Sequence, residues 1–109
     1  MATIYKVLGQ STPSATTATT LYTVPASTST VVSTISVCNR DSSSATFRLA
    51  VRPAGASLSN QHYLVYDAPI SANTNVAFTF GITLATTDIV TVYASTANIS
   101  FSIFGSEIS

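Results

Sequence analysis

The feature that most constrains this chain is a two-residue alternation of side chains, clearest from Thr30 to Arg52. Between Thr30 and Asn39, Val31, Ser33, Ile35 and Val37 share one side of an extended backbone, and Val32, Thr34, Ser36 and Cys38 share the other. Ala45 to Arg52 repeats the pattern more cleanly. Phe47, Leu49 and Val51 point one way; Thr46, Arg48, Ala50 and Arg52 point the other. Such a strand has one apolar face and one wet or contact face. The turn-forming cluster Asn39-Arg40-Asp41-Ser42-Ser43-Ser44 predicts that the two runs form a hairpin.

No stretch places apolar residues at helical spacing over three turns, so the remaining runs also read as strands. They are Thr3–Leu8, ending at Gly9-Gln10; Thr20–Val24, stopped by Pro25; Gln61–Tyr66, ended by Asp67-Ala68-Pro69; and Asn75–Phe80, ended by Gly81. Ile82–Leu84 is a short extension. Ile89–Ala94 and Ile99–Phe104 complete the set, with Gly105–Ser109 as a tail. About eight strands at this spacing predict one domain over residues 1–109. Its fold class is an all-β antiparallel sandwich, jelly-roll or immunoglobulin-like. Residues 11–20 lack any large apolar side chain and read as a Ser/Thr-rich irregular arm, of which Thr12–Thr20 would order on docking.

Several strands are apolar on both faces, although a small sandwich buries only one face of each sheet. The surplus predicts contact surface. Charge points the same way: charged residues are 7% of the chain and the formal net charge is zero, so copies repel each other weakly. Lys6, Arg40, Arg48 and Arg52 are too scattered for the electrostatic footprint of nucleic-acid binding. No apolar run is long enough for a membrane helix, and the N-terminus lacks the pattern of a secretory signal. Synthesis in a host cytoplasm is the expectation.

Catalytic signals are weak. His62 is the only histidine, and no G-x-S-x-G elbow accompanies it. Asp41, Asp67, Asp88 and Glu107 are isolated from one another, and Asp67 and Asp88 sit where aspartates commonly close turns. Cys38 has no disulfide partner and reads as a small buried hydrophobe. No catalytic residue, cofactor or metal ligand is assigned, and no enzymatic activity is expected. The residues that read as subunit contacts are Arg48, Arg52, His62, Tyr63 and Tyr66. The two arginines would meet Asp67 or Glu107 of a neighbour. Tyrosines also stack on sugar rings, which leaves a carbohydrate-binding module for host glycans as an alternative of another class.

Four blocks together resemble small virion structural proteins of tailed phages, of the marine and cyanobacterial type. They are Tyr5-Lys6-Val7-Leu8-Gly9-Gln10; Leu21-Tyr22-Thr23-Val24-Pro25-Ala26; Val37-Cys38-Asn39-Arg40 with Ala45–Val51; and Gly81-Ile82-Thr83-Leu84 with Asp88 and Val90–Ser95. The resemblance implies a β-sandwich subunit present in many copies in the virion, and carries no catalytic residues. A capsid decoration or cement role is expected first, and a tail, neck or fibre-associated role second. The implied partners are copies of itself, with a trimer among the symmetries open to it, and another virion protein such as the major capsid protein.

Overall fold

The computed structural model describes residues 2–109; Met1, part of the N-terminal reading above, lies outside them. Nine strands form: β1 (Thr3–Ser11), β2 (Thr19–Thr23), β3 (Ser29–Asn39), β4 (Ala45–Arg52), β5 (Tyr63–Ile70), β6 (Asn75–Phe78), β7 (Ile82–Leu84), β8 (Ile89–Ala94) and β9 (Ile99–Ile108). One sheet has the order β1-β9-β3-β6, with β7 also pairing β3. The other has the order β2-β8-β4-β5. Every pairing is antiparallel.

The pairing is nested. β1 lies with β9, β2 with β8, β3 with β6 and β7, and β4 with β5. The chain is thus one long hairpin, closed at β4–β5 and rolled so that β9 also meets β3 and β8 also meets β4. With β6 and β7 counted as one interrupted strand, this is the jelly-roll order. The fold is an antiparallel β-sandwich, as expected.

Three local expectations fail here. The β3–β4 hairpin does not form, because the chain changes sheet between Asn39 and Ala45. Asn39 makes the crossing. Its side chain is buried, and its amide donates to the carbonyls of Ser43, Ile70 and Ser71 at 3.0, 3.2 and 3.3 Å. Its Oδ1 accepts the Asp41 N–H at 2.9 Å. One amide therefore satisfies backbone groups of both the crossing and the end of β5, among them the buried Ile70 carbonyl, which would otherwise be left unpaired. In β3, the face assignment holds only after Ser33. A bulge between Val32 and Thr34 sends Val32 inward and leaves Val31 exposed. Cys38 accordingly lies on the outer side, half-buried, and Val37 takes the core position.

Three strands also run further than their punctuation suggests. β1 passes through Gly9, whose missing side chain lets the backbone cross the Leu21 carbonyl of β2. β9 continues through Gly105, where any Cβ would collide with the Val31 carbonyl of β3. β5 absorbs Asp67 and Pro69 because it is an edge strand, where a missing N–H costs no ladder bond. β6 is shorter than expected and ends at Phe78. Of the Ser/Thr-rich arm, Ser11, Thr19 and Thr20 belong to strands. The irregular remainder is tied down by a buried Pro13 and by the Thr16 N–H to the Ala94 carbonyl at 2.8 Å.

The core is the space between the sheets. Ile35, Val37, Ile99, Phe101 and Ile103 fill it from one side, and Phe47, Leu49, Ile70, Val90 and Val92 from the other. Phe47 reaches Phe101 edge-on at 6.3 Å and Phe78 at 5.9 Å. Replacing Asn39 by Ala leaves these apolar contacts intact and strips the crossing of its bonds. We expect a loss of about 3 kcal/mol, read as a lower denaturant midpoint at unchanged slope.

Candidate functional site

The outer face of the β2-β8-β4-β5 sheet carries a cluster of aromatic rings around one guanidinium. Its origin is a bulge in β5. Phe47 pairs with Ala68 and Leu49 with Val65, so Tyr66 and Asp67 together oppose Arg48. Asp67 accommodates the extra residue in the left-handed region (φ 51°), where aspartate is among the more tolerant side chains. Both bulge residues consequently turn toward Arg48. Its Nε and Nη2 donate to Asp67 Oδ1 and Oδ2 at 2.7 and 3.2 Å. Its guanidinium carbon lies 4.2 Å from the Tyr66 ring centre and 4.2 Å from that of Tyr93, the residue paired with Arg48 on β8. Tyr63 stands edge-on to Tyr66 at 4.9 Å.

The Arg48 guanidinium hydrogen-bonded to Asp67 holds that carboxyl below the usual aspartate range, and the same bonds push the arginine further toward its protonated form. The pair is neutral and still partly open to water. Tyr66 remains 57% exposed. With Asn60 and Tyr63 it lines a shallow depression of about 350 Å³. Chemically, the platform offers flat π faces beside a fixed donor–acceptor pair.

Of the five residues singled out from sequence, Arg48, Tyr63 and Tyr66 come together here. Arg52 and His62 do not join them. Arg52 binds within the chain, to Thr91 Oγ1 at 3.0 Å and the Ala56 carbonyl at 3.1 Å. His62 is buried, and its Nδ1 accepts the Ser59 N–H at 3.1 Å, closing the turn ahead of β5. The expected carboxylate for Arg48 is present, but it comes from the same chain. Asp88 does close turns, through the Ala54 and Ala85 N–H groups at 2.8 Å each, whereas Asp67 does not. Tyr93 was missed from sequence. Its register opposite Arg48 depends on a β4–β8 pairing between strands some forty positions apart.

A second polar cluster joins the two sheets. The buried Tyr22 of β2 hydrogen-bonds through its hydroxyl to Glu107 Oε2 at 2.6 Å and to Thr30 Oγ1 at 2.8 Å. Lys6 Nζ reaches Glu107 Oε1 at 3.2 Å. Burial, followed by the neighbouring Glu107, pushes the Tyr22 hydroxyl up to about 12. The Tyr22 hydrogen bond holds Glu107 below its ordinary value.

Among the described residues, no three His, Cys, Asp or Glu side chains gather as a metal site would require, and no helix is long and apolar enough to cross a membrane. The fold and its surfaces define a jelly-roll domain with an aromatic outer platform. No protein-family model, curated protein or solved structure matches the chain.

The Tyr22–Glu107 contact makes stability depend on pH in two directions. The lowered Glu107 contributes stability above its ordinary value of 4.5, and that contribution is lost as pH falls through the folded value. The raised Tyr22 contributes fully below 10.0, and its part is lost as pH climbs toward about 12. Tyr22→Phe should cost about 1–2 kcal/mol at neutral pH, because the buried Thr30 hydroxyl loses its partner. It should also flatten the alkaline limb. Urea unfolding of both proteins at neutral pH and near pH 11 checks this.

Proposed function

We propose that the chain is a structural subunit of a tailed-phage virion, present in many copies and acting as a decoration or cement protein on the head. One observation carries the reading: the outer face of the β1-β9-β3-β6 sheet is nearly uncharged and carries exposed apolar side chains among serine and threonine hydroxyls. Tyr5 is 83% exposed and Val7 49%; the half-buried Phe104 lies beside Val7, and the exposed Val31 lies across Ser106 from Tyr5. Water tolerates scattered apolar residues. Several on one sheet face favour coverage by another protein surface. The jelly-roll order recurs in viral coats and in lectins, which supports the reading by analogy of fold. The mechanism is passive. Each subunit adds apolar burial at roughly 25 cal/mol per Å² across a joint between shell proteins, less the cost of association. Repetition over many sites multiplies a small gain.

The test is the composition of gradient-purified particles of the phage that encodes the chain. The protein is expected in stoichiometric amounts with DNA-filled heads. A Val31→Lys variant should stay folded and bind shells lacking the protein at least about tenfold more weakly. Absence from purified particles overturns the proposal, and recovery with tails alone moves the role to the tail or neck.

The Tyr63–Tyr66 platform supports a second reading, recognition of host glycans. Two rings flank an open depression beside a fixed arginine–aspartate pair, the arrangement a sugar would meet with one face stacked and its hydroxyls bonded. A glycan array probed with the purified protein should then show binding that Tyr66→Ala abolishes. A blank array removes this reading and leaves the platform as a protein contact.

A further inference from the structure

The four sheet edges are unequal. β2 has five residues, and β6 and β7 have four and three with a break between them. β5 is longer but carries two bulges and Pro69. These are the usual devices that stop an edge from pairing with another chain. β1 lacks them along its first half. From Thr3 to Val7 it is regular, contains no proline, and bulges only beyond Val7.

The direction of its free backbone groups follows from the ladder. Ala2 and Ser109 exchange both backbone bonds, the Ala2 N–H to Ser109 at 2.7 Å and the Ser109 N–H to Ala2 at 2.9 Å. In an antiparallel pair such residues alternate with residues whose N–H and C=O point away. With Thr3 opposite Ile108, Tyr5 opposite Ser106 and Val7 opposite Phe104, those three residues turn their backbone groups outward. Outside the β1–β9 ladder, no backbone hydrogen bond among the described residues reaches them.

We infer that β1 pairs antiparallel with β1 of a second copy about a two-fold axis through Tyr5, joining the two larger sheets into one. This register sets Tyr5 opposite Tyr5 and Thr3 opposite Val7 of the other copy, and it uses every outward group of both segments. A two-fold at Lys6 would leave Thr3 unpaired and place two ammonium groups opposite each other. A two-fold at Ile4 would leave Val7 with no partner among the described residues. The Tyr5 register is also neutral. Lys6, the one charge on this edge, is already bound to Glu107 of its own chain, and across the axis it meets Ile4. The tyrosine rings gain an aromatic cross-strand neighbour. The exposed patch of Tyr5, Val7 and Val31 becomes continuous with its symmetry mate. The contact is isologous and closes at two copies. A two-fold pair, not a three-fold ring, fits this edge. The inference deepens the structural-subunit proposal and rests on it for its role.

The full chain is tested by sedimentation equilibrium over a wide concentration range. The expected species has twice the 11.3 kDa of one chain. Tyr5→Pro removes an outward N–H and leaves the β1–β9 ladder intact, and Tyr5→Lys sets two cations at the axis. Each should weaken dimerisation by at least about tenfold while retaining the wild-type circular dichroism spectrum. In a Cys38→Ser background, Tyr5→Cys should form an intermolecular disulfide under mild oxidation. Gln10→Cys, about 30 Å from its mate in this register, should not. A wild-type monomer at all concentrations overturns the inference. So does association that both Tyr5 variants retain without a Tyr5→Cys cross-link. Either outcome leaves the structural-subunit proposal to the particle experiment, which is scored independently.

Discussion

The hydrogen-bonded ladder on both sides of β9 is the constraint on which the remaining structure depends. β9 is the only strand of its sheet flanked along most of its length by two long neighbours, β1 and β3. Its inward residues Ile99, Phe101 and Ile103 are almost wholly buried, and Phe101 meets Phe47 of the opposite sheet. The ladder survives its own irregularity. β1 and β3 each carry an extra residue close to Phe104, Leu8 on one side and Ser33 on the other. Gly105 fits the tightened backbone there because it has no side chain to meet Val31. Shifting any of these by one position would turn a face of the core out to water.

Bulges also generate both candidate surfaces. The paired irregularities near Phe104 bring Val31 onto the outer face, where it joins Tyr5 and Val7. The bulge in β5 aims Tyr66 and Asp67 at a single arginine. In each case an extra residue in one strand redirects side chains that a regular ladder would have placed elsewhere. The features open to function are therefore local departures built on a regular frame.

The period-two pattern made the strands and the sandwich legible, because alternation is a property of neighbouring residues. Phe47 and Leu49 point inward as their spacing indicates. What depended on distant pairing was not legible. Asn39 reads as a turn residue, and nothing beside it reveals that its amide will bind the carbonyls of Ile70 and Ser71 at the far end of β5. Asp67-Ala68-Pro69 reads as a strand end, although an edge strand tolerates it. At the platform, three of the five expected residues converge. Tyr93 escaped notice, since its position beside Arg48 is fixed by register between strands remote in sequence.

Every ionic side chain in the molecule is occupied within its own chain. Lys6 holds Glu107, Arg48 holds Asp67, Arg40 binds Ser100 and Ala97, and Arg52 binds Thr91 and Ala56. Asp41 and Asp88 are engaged by backbone N–H groups and, for Asp41, by Asn98. Two of the four cations are cancelled by direct ion pairs. Arg40, Arg52, Asp41 and Asp88 keep their charges on neutral partners, and with no net charge the chain has only a weak long-range field. Approaching molecules are not steered toward it, and dissolved electrolyte has little to screen. A contact made through its uncharged apolar patch would therefore be weakened little by added salt.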